Sequence, residues 1–329
     1  MIKFILKRLL MMIPILLAVS VIIFTLMYFV PGDPASISTG GEKVSAEQLD
    51  AIRESMGLNR SYIERLVEYV GNVFLRLDFG TSYTYGTPVG PELLSRFWNT
   101  AYIGFISLIL MMVVGIPVGV RSAVHANKPE DRVSMFTTLL FNSMPPFWLA
   151  LLLVLLFSLN LGWLPSTGAK SFKYFILPSL SVALGSIAGI ARQTRSSMLE
   201  VIRSDYVTTA RAKGLSERKV VYGNALPNAL IPIITVCGNQ FGKMLGGVVV
   251  IETIFSIPGL GVYMINGINN RDYNVVQGAL LVIALMFSVI MLITDLVYAY
   301  VDPRIKARYM KSKKKMDYST DKVVGDADA

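Results

Sequence analysis

The stretch Ser204–Leu230 reads SDYVTTARAKGLSERKVVYGNALPNAL. It lies between two long apolar segments and is itself too polar to span a bilayer. Its pattern is that of two short helices joined at a glycine. Ser204 stands where an N-cap belongs, and Asp205 in the first turn suits the positive end of the helix dipole. The first helix is predicted to run to Lys213 and stop at Gly214, a residue free to adopt the left-handed cap. Ser216, with Glu217 behind it, starts a second helix that carries Val220 and Val221 and ends near Leu226-Pro227. Arg211, Lys213, Arg218 and Lys219 make the rim basic. Such a hairpin can lie on anionic lipid. Lipid alone gives no reason for the glycine, or for the small residues Thr208, Thr209 and Ala210, which let another protein's surface come close.

The flanking chain is built for lipid. Of 329 residues, 53% are hydrophobic and only 16% are charged, against about 25% charged in a soluble domain. Several uncharged runs reach the roughly 20 residues that a membrane helix needs. The net charge of +9 is then read as basic residues flanking spans on the cytoplasmic side, not as a nucleic-acid footprint. The single cysteine, Cys237, cannot form an intrachain disulfide, and the single histidine, His125, excludes paired-histidine metal motifs.

Six spans are expected: Leu9–Val30, Thr100–Val120, a third within Val133–Leu161 that contains Pro145-Pro146, Tyr174–Ala191, Ala229–Ile251 and Val275–Val301. The first is longer than a signal-peptide core and is read as uncleaved. An even number puts both termini on one side. Charge places that side in the cytoplasm, because Arg192–Lys219 holds seven Lys/Arg against three Asp/Glu, and Asp302–Lys315 holds seven against one. The chain thus divides into residues 1–30 (cytoplasmic N-terminus and first span), 31–99 (an extracellular helical segment), 100–301 (the remaining spans, with a cytoplasmic loop at 192–228) and 302–329 (a tail, basic then acidic). In the extracellular segment Ser45 is read as an N-cap with Gln48 three residues on.

Motifs for chemistry are missing. No H-E-x-x-H or G-x-S-x-G occurs, and Gly238–Met244 comes nearest to a P-loop but is one residue short and lacks the Ser/Thr. No catalytic residue, metal site or bound cofactor is expected on this chain. Glycines three residues apart recur instead: Gly115–Gly119, Gly185–Gly189, Gly238–Gly242 and Gly242–Gly246. These let helix backbones approach closely in lipid. Asn142, Asn239, Gln240 and Lys243 are polar groups inside apolar runs and are candidates for a translocation path. A lysine at a membrane helix centre costs about 2.5–3.5 kcal/mol. Lys243 therefore either faces a wet cavity or partner, or snorkels from near a helix end.

The opening stretch resembles the EAA loop of ABC-importer permeases, in which Glu-Ala-Ala, three residues, Gly, nine residues and Ile-x-Leu-Pro follow one another. Gly214 follows Thr208-Thr209-Ala210 at that spacing and Leu226-Pro227 falls in place, while Thr208, Thr209 and Asn224 depart from the pattern. Pro31-Gly32-Asp33-Pro34, Gly57-Leu58, Asp78-Phe79-Gly80, the run Ile251–Gly261, Asp295–Tyr298 and Asp302-Pro303-Arg304 extend the resemblance, in order, to the dipeptide/oligopeptide permease B family. The resemblance implies an all-α polytopic membrane protein with six transmembrane helices and the type I ABC importer permease fold, in a prokaryotic cytoplasmic membrane. It implies as partners a second homologous permease, two cytoplasmic ATPases that carry the ATP and Mg, an extracellular solute-binding protein, a peptide substrate and membrane lipid. Asp205, Thr208, Thr209, Ala210, Gly214, Leu226 and Pro227 would form the ATPase-coupling loop. Phe255, Ile257 and Leu260 would dip into the path as an outer gate, the alternative being an apolar interfacial loop. Relatives carrying nickel or glutathione share these motifs. A stand-alone ion-coupled carrier is the competing class, and it would need an intramembrane acid, for which only Asp295 qualifies.

Overall fold

The computed structural model describes residues 2–39 and 44–301, and the long apolar runs within them are helical. Among the described residues, five helices have the length and composition to cross a bilayer: α1 (Ile2–Phe29), α5 (Val89–Val124), α8 (Lys173–Ile202), α11 (Leu226–Ile254) and α13 (Tyr273–Val301). The third apolar run is broken. Helix α6 (Pro129–Ser143) meets α7 (Pro146–Leu153), which a π-helical turn prolongs over Val154–Asn160, at an angle of 100°. Proline removes a backbone donor and clashes with the preceding turn, so Pro145-Pro146 turns the chain. Taken as one broken span, the pair brings the number to six. The 302–329 tail, with Asp302-Pro303-Arg304, lies outside the described residues.

One end of the bundle carries a small cap of α2 (Pro34–Ser38), α3 (Ala46–Ser55), α4 (Tyr62–Arg76) and α12 (Leu260–Asn269). The expected cap at Ser45 is there: its hydroxyl accepts from the Gln48 N–H at 3.3 Å and the Gln48 side chain accepts from the Ser45 N–H at 2.9 Å. A second such box, Ser61 with Glu64, starts α4. The opposite end carries the hairpin of α9 (Asp205–Ala212) and α10 (Glu217–Lys219).

The core is set by how closely α5 and α8 approach. A Cβ on Gly119 would lie 2.5 Å from both the Ala191 carbonyl oxygen and the Thr194 Cβ, and one on Gly115 would lie 3.1 Å from Ile190. The Ser107 hydroxyl donates to the Ser179 carbonyl at 2.9 Å across the same interface. Helix α11 meets α13 where Gly238 faces Thr294 and Gly242 faces Phe287. The small-residue reading therefore holds at these crossings, whereas Gly185 and Gly246 have nothing within 4 Å of an added Cβ. Helix α1 is pinned to α13 by Arg8 and Asp295, 2.7 Å apart. The acid that a stand-alone carrier would need is thus in an ion pair.

Candidate coupling hairpin, polar face and end brace

Helix α9 ends at Ala212, with Lys213 as its cap, and Gly214 has φ +75°. Open space surrounds Gly214. Arg211 and Glu217 close the hairpin with two hydrogen bonds of 3.1 and 2.7 Å, which raise the Arg211 pKa. Three expectations need correcting. Ser204 and Ser216 have the extended backbone of N-caps but make no side-chain cap bond, and the Ser204 hydroxyl donates back to the Val201 carbonyl at 2.6 Å. The second limb does not end at Leu226-Pro227. It passes through a π-helical turn, Val220–Ala225, straight into α11. That wider turn, with the Leu226 N–H bonded to the Val221 carbonyl, carries the chain to Pro227, which has no N–H to give. Finally, Ala210 does not face outward. It is buried with Val207, Val220 and Val221 in the cluster that also holds Met198 and Ile233. Asp205, Thr208, Thr209, Gly214 and Pro227 are exposed and Leu226 is half-buried. The hairpin is therefore rooted in the core of the spans and shows a polar outer face.

The second feature is a stripe along α11. Asn228, Pro232, Thr235, Asn239, Lys243, Gly246, Val250 and Thr253 follow one another at steps of three or four and are all exposed, so they share one face. Elsewhere the bundle exposes apolar side chains, among them Leu10, Ile22 and Leu26 on α1 and Phe105, Ile109 and Val113 on α5. Polar groups are costly against hydrocarbon, so the α11 stripe fits water or protein and the α1 and α5 faces fit lipid. Asn239 and Lys243 belong to the stripe. Gln240 does not: half-buried, it turns toward α8, where a Cβ on Gly189 would lie 2.7 Å from its Nε2. Asn142 is exposed on the last turn of α6, just before the bend, and no hydrogen bond joins it to the α11 residues.

The run after α11 differs from both expectations set for it. Phe255, Ile257 and Leu260 are each at most 1% exposed, enclosed in this chain's own core and neither open to a path nor lying on a surface. Glu252 holds them there. Fully buried, it accepts from the Thr100 hydroxyl at 2.5 Å and from the Val262 N–H at 3.0 Å, at the start of α12. Thr100 in turn accepts from the Leu260 N–H at 2.8 Å. A Cβ on Gly259 would lie 2.1 Å from the Glu252 carboxylate, so glycine lets the loop close over the acid. Glu252 is missing from the sequence candidates, although a lone acid at the end of an apolar run is a readable signal. Removing the carboxylate in Glu252→Ala orphans the buried Thr100 hydroxyl, at a cost of about 1–3 kcal/mol, and the part-buried Val262 N–H, at less. The expected result is faster proteolysis at the 255–259 loop in the purified protein, with Glu252→Gln milder because it keeps one acceptor.

A second unforeseen cluster lies at the hairpin end. Asp131, 3% exposed, accepts two hydrogen bonds of 2.7 Å from the Arg195 guanidinium, one of 2.8 Å from the Asn127 N–H, and one from the Ser122 hydroxyl. It clamps the start of α6 and the end of α5 to α8, three turns ahead of the hairpin.

A helical bundle with apolar outer faces, one polar longitudinal face and an end hairpin rooted in its core has the form that a membrane transport permease requires. Residues 115–307 match the family of binding-protein-dependent transport system inner membrane components, and residues 1–103 match the N-terminal region of such membrane components. The chain belongs to this family and is a permease of the ABC importer class. The glutathione transport system permease protein GsiC of Salmonella choleraesuis (strain SC-B67) is 41% identical over 306 residues, covering 93% of this chain and 99% of the relative. GsiC of Escherichia coli (strain K12) is 40% identical over the same span and coverage. Among solved structures, the MetNI methionine ABC transporter in an inward-facing form matches with a TM-score of 0.56 at 22% identity. That match covers 64% of this chain and 96% of the other, and supports the type I permease fold. Such a permease works with ATPase and binding-protein partners, and ATP hydrolysis belongs to the ATPases.

Proposed function

We propose that this chain forms half of a translocation pathway for short peptides, and that the α9–α10 hairpin receives the motion of an ATPase. Two permeases pair across the polar stripe of α11, two ATPases seat on the hairpin end, and a solute-binding protein docks at the cap end. Both termini and the hairpin lie in the cytoplasm, in keeping with the Lys/Arg excess there. The observation that carries this reading is the rooting of the hairpin. Val207, Ala210, Val220 and Val221 share one buried cluster with α5, α8 and α11, so a push on the exposed Thr208–Thr209 face moves the spans as a body. The glutathione named for the GsiC relatives is itself a short peptide and supports that cargo class.

The test separates coupling from folding. Nothing lies within 4 Å of a Cβ at Gly214, so Gly214→Asp meets no clash inside this chain, and its φ of +75° costs an aspartate about 1 kcal/mol of local strain, confined to the exposed turn. The variant is expected to insert normally and to lower peptide uptake in proteoliposomes at least about tenfold, a coupling loss of ~1.4 kcal/mol, while ATP hydrolysis persists. Wild-type uptake by Gly214→Asp would refute the coupling role. The partner set is checked by affinity capture of the tagged chain from detergent extract.

A further inference from the structure

A cavity of about 610 Å³ opens at the cap end between α1, α4 and α13. Phe24, Tyr273 and Gln277, from the cap-end turns of two spans, line its inner side, which sets its depth at the membrane surface. Both signs of charge line the rest: Arg60 and Arg65, and Glu68 and Asp78. Gln277 is only 4% exposed and lines the cavity, and its side-chain amide makes no hydrogen bond to any described residue. The Tyr69 hydroxyl is turned away from the cavity toward Ser20 of α1, where α4 and α1 meet. Buried polar groups are nearly always hydrogen-bonded, so an enclosed amide whose open side is this cavity points to an occupant.

The shape says what kind. A shallow groove adjoins the cavity along α4, shares Arg60 and Glu68 with it, and continues over Ile63 and Val67. Those two side chains are 69% and 65% exposed, and Ile22, Leu26 and Phe29 on α1 also point outward. The Arg60–Glu68 ion pair, 2.5 Å long, stands where the polar cavity meets the apolar groove. A pocket with charges of both signs at one end and an open apolar run at the other fits an amphiphile.

We propose that this cavity holds the headgroup of one aminophospholipid. Arg65, placed over the Tyr28 ring at 5.6 Å, meets the phosphate, and Glu68 and Asp78 meet the primary ammonium. The Gln277 amide completes the site from the wall. The acyl chains run over Ile63, Val67 and the outer face of α1. The lipid fastens α4 to α1 and α13, and this role does not depend on the transported cargo.

The test uses the full transporter in nanodiscs of phosphatidylethanolamine and phosphatidylglycerol in equal parts. The complex is released into detergent, washed and weighed by native mass spectrometry. One phosphatidylethanolamine per permease is expected to survive washing, and Gln277→Leu and Glu68→Gln are each expected to lower its retention about tenfold. Gln277→Leu adds no charge and breaks no internal bond. Glu68→Gln changes an exposed side chain, so at least one variant folds. Equal retention of phosphatidylglycerol, or unchanged retention in both variants, would overturn the proposal. Displacement by millimolar glycylglycine would also overturn it and assign the cavity to a soluble zwitterion.

Discussion

Gly119→Leu is expected to leave almost no folded protein in the membrane, whereas Gly185→Ala leaves the wild-type amount. Both residues lie in small-residue pairs on packed spans, and sequence spacing alone rates them alike. The surroundings separate them. A Cβ at position 119 would stand 2.5 Å from the Ala191 carbonyl oxygen and from the Thr194 Cβ, and the first of these is backbone of α8. It cannot yield by rotating a side chain, so the whole helix must move away. Overpacking costs about 1–3 kcal/mol where side chains can adjust, and more where they cannot. Leucine adds three further carbons to the clash. Moving α8 also pulls on Arg195 and on the hairpin that follows it. At Gly185 an added methyl meets nothing within 4 Å, and alanine is the better helix former by about 1 kcal/mol. Size-exclusion yield of a fluorescent fusion, before and after heating, reads both variants. Equal yields would mean that the close α5–α8 approach is not what holds the bundle.

The contrast between the two glycines shows where sequence reading stops. The spans were legible because lipid demands about 20 apolar residues in a row, a purely local requirement. The Ser45–Gln48 box and the stop at Gly214 were legible for the same reason, since caps and left-handed turns are settled within a few residues. The direction in which Ala210 points was not: on a helix as short as Asp205–Ala212, a small residue suits a docking face or a packed one equally well. Phe255, Ile257 and Leu260 read as gate or surface because an apolar loop carries no mark of what covers it. What covers it is fixed by Glu252 and Thr100, 152 residues apart in the chain. The extent of the helices was also hidden. Helix α5 begins at Val89, well before the apolar run, and α8 runs past Ala191 to Ile202. Charged residues end a lipid-facing segment without ending a helix. Of the path candidates, Asn239 and Lys243 share a face that period 3.6 could have predicted, and the same period turns Gln240 away from it.

Asp131→Ala is expected to impair transport beyond its cost to stability. The Asp131 side chain is 5% exposed and that of Arg195 is 27% exposed, 2.7 Å apart. Removing one partner of a buried ion pair costs about 3–5 kcal/mol, because the other charge stays buried without its counterpart. The partial exposure of Arg195 lets water reach it and moves the expectation toward the lower end. The Ser122 hydroxyl and the Asn127 N–H lose their acceptor as well. Asn127 has φ +66°, so its loop is held in a conformation that the carboxylate helps to maintain. Asp131→Asn/Arg195→Met, which removes both charges, is expected to recover much of the heat resistance lost in Asp131→Ala. The coupling between the two sites should fall within about 0.5–3 kcal/mol, as it does for contacting residues. Uptake should not recover in step. With the clamp neutral, α8 holds α6 by packing alone, and motion arriving at the hairpin is passed less rigidly toward the bend at Pro145-Pro146. Thermal stability and proteoliposome uptake, measured on the single variants and the pair, separate the two effects. Uptake that tracks stability across all the variants would reduce the clamp to a structural tie.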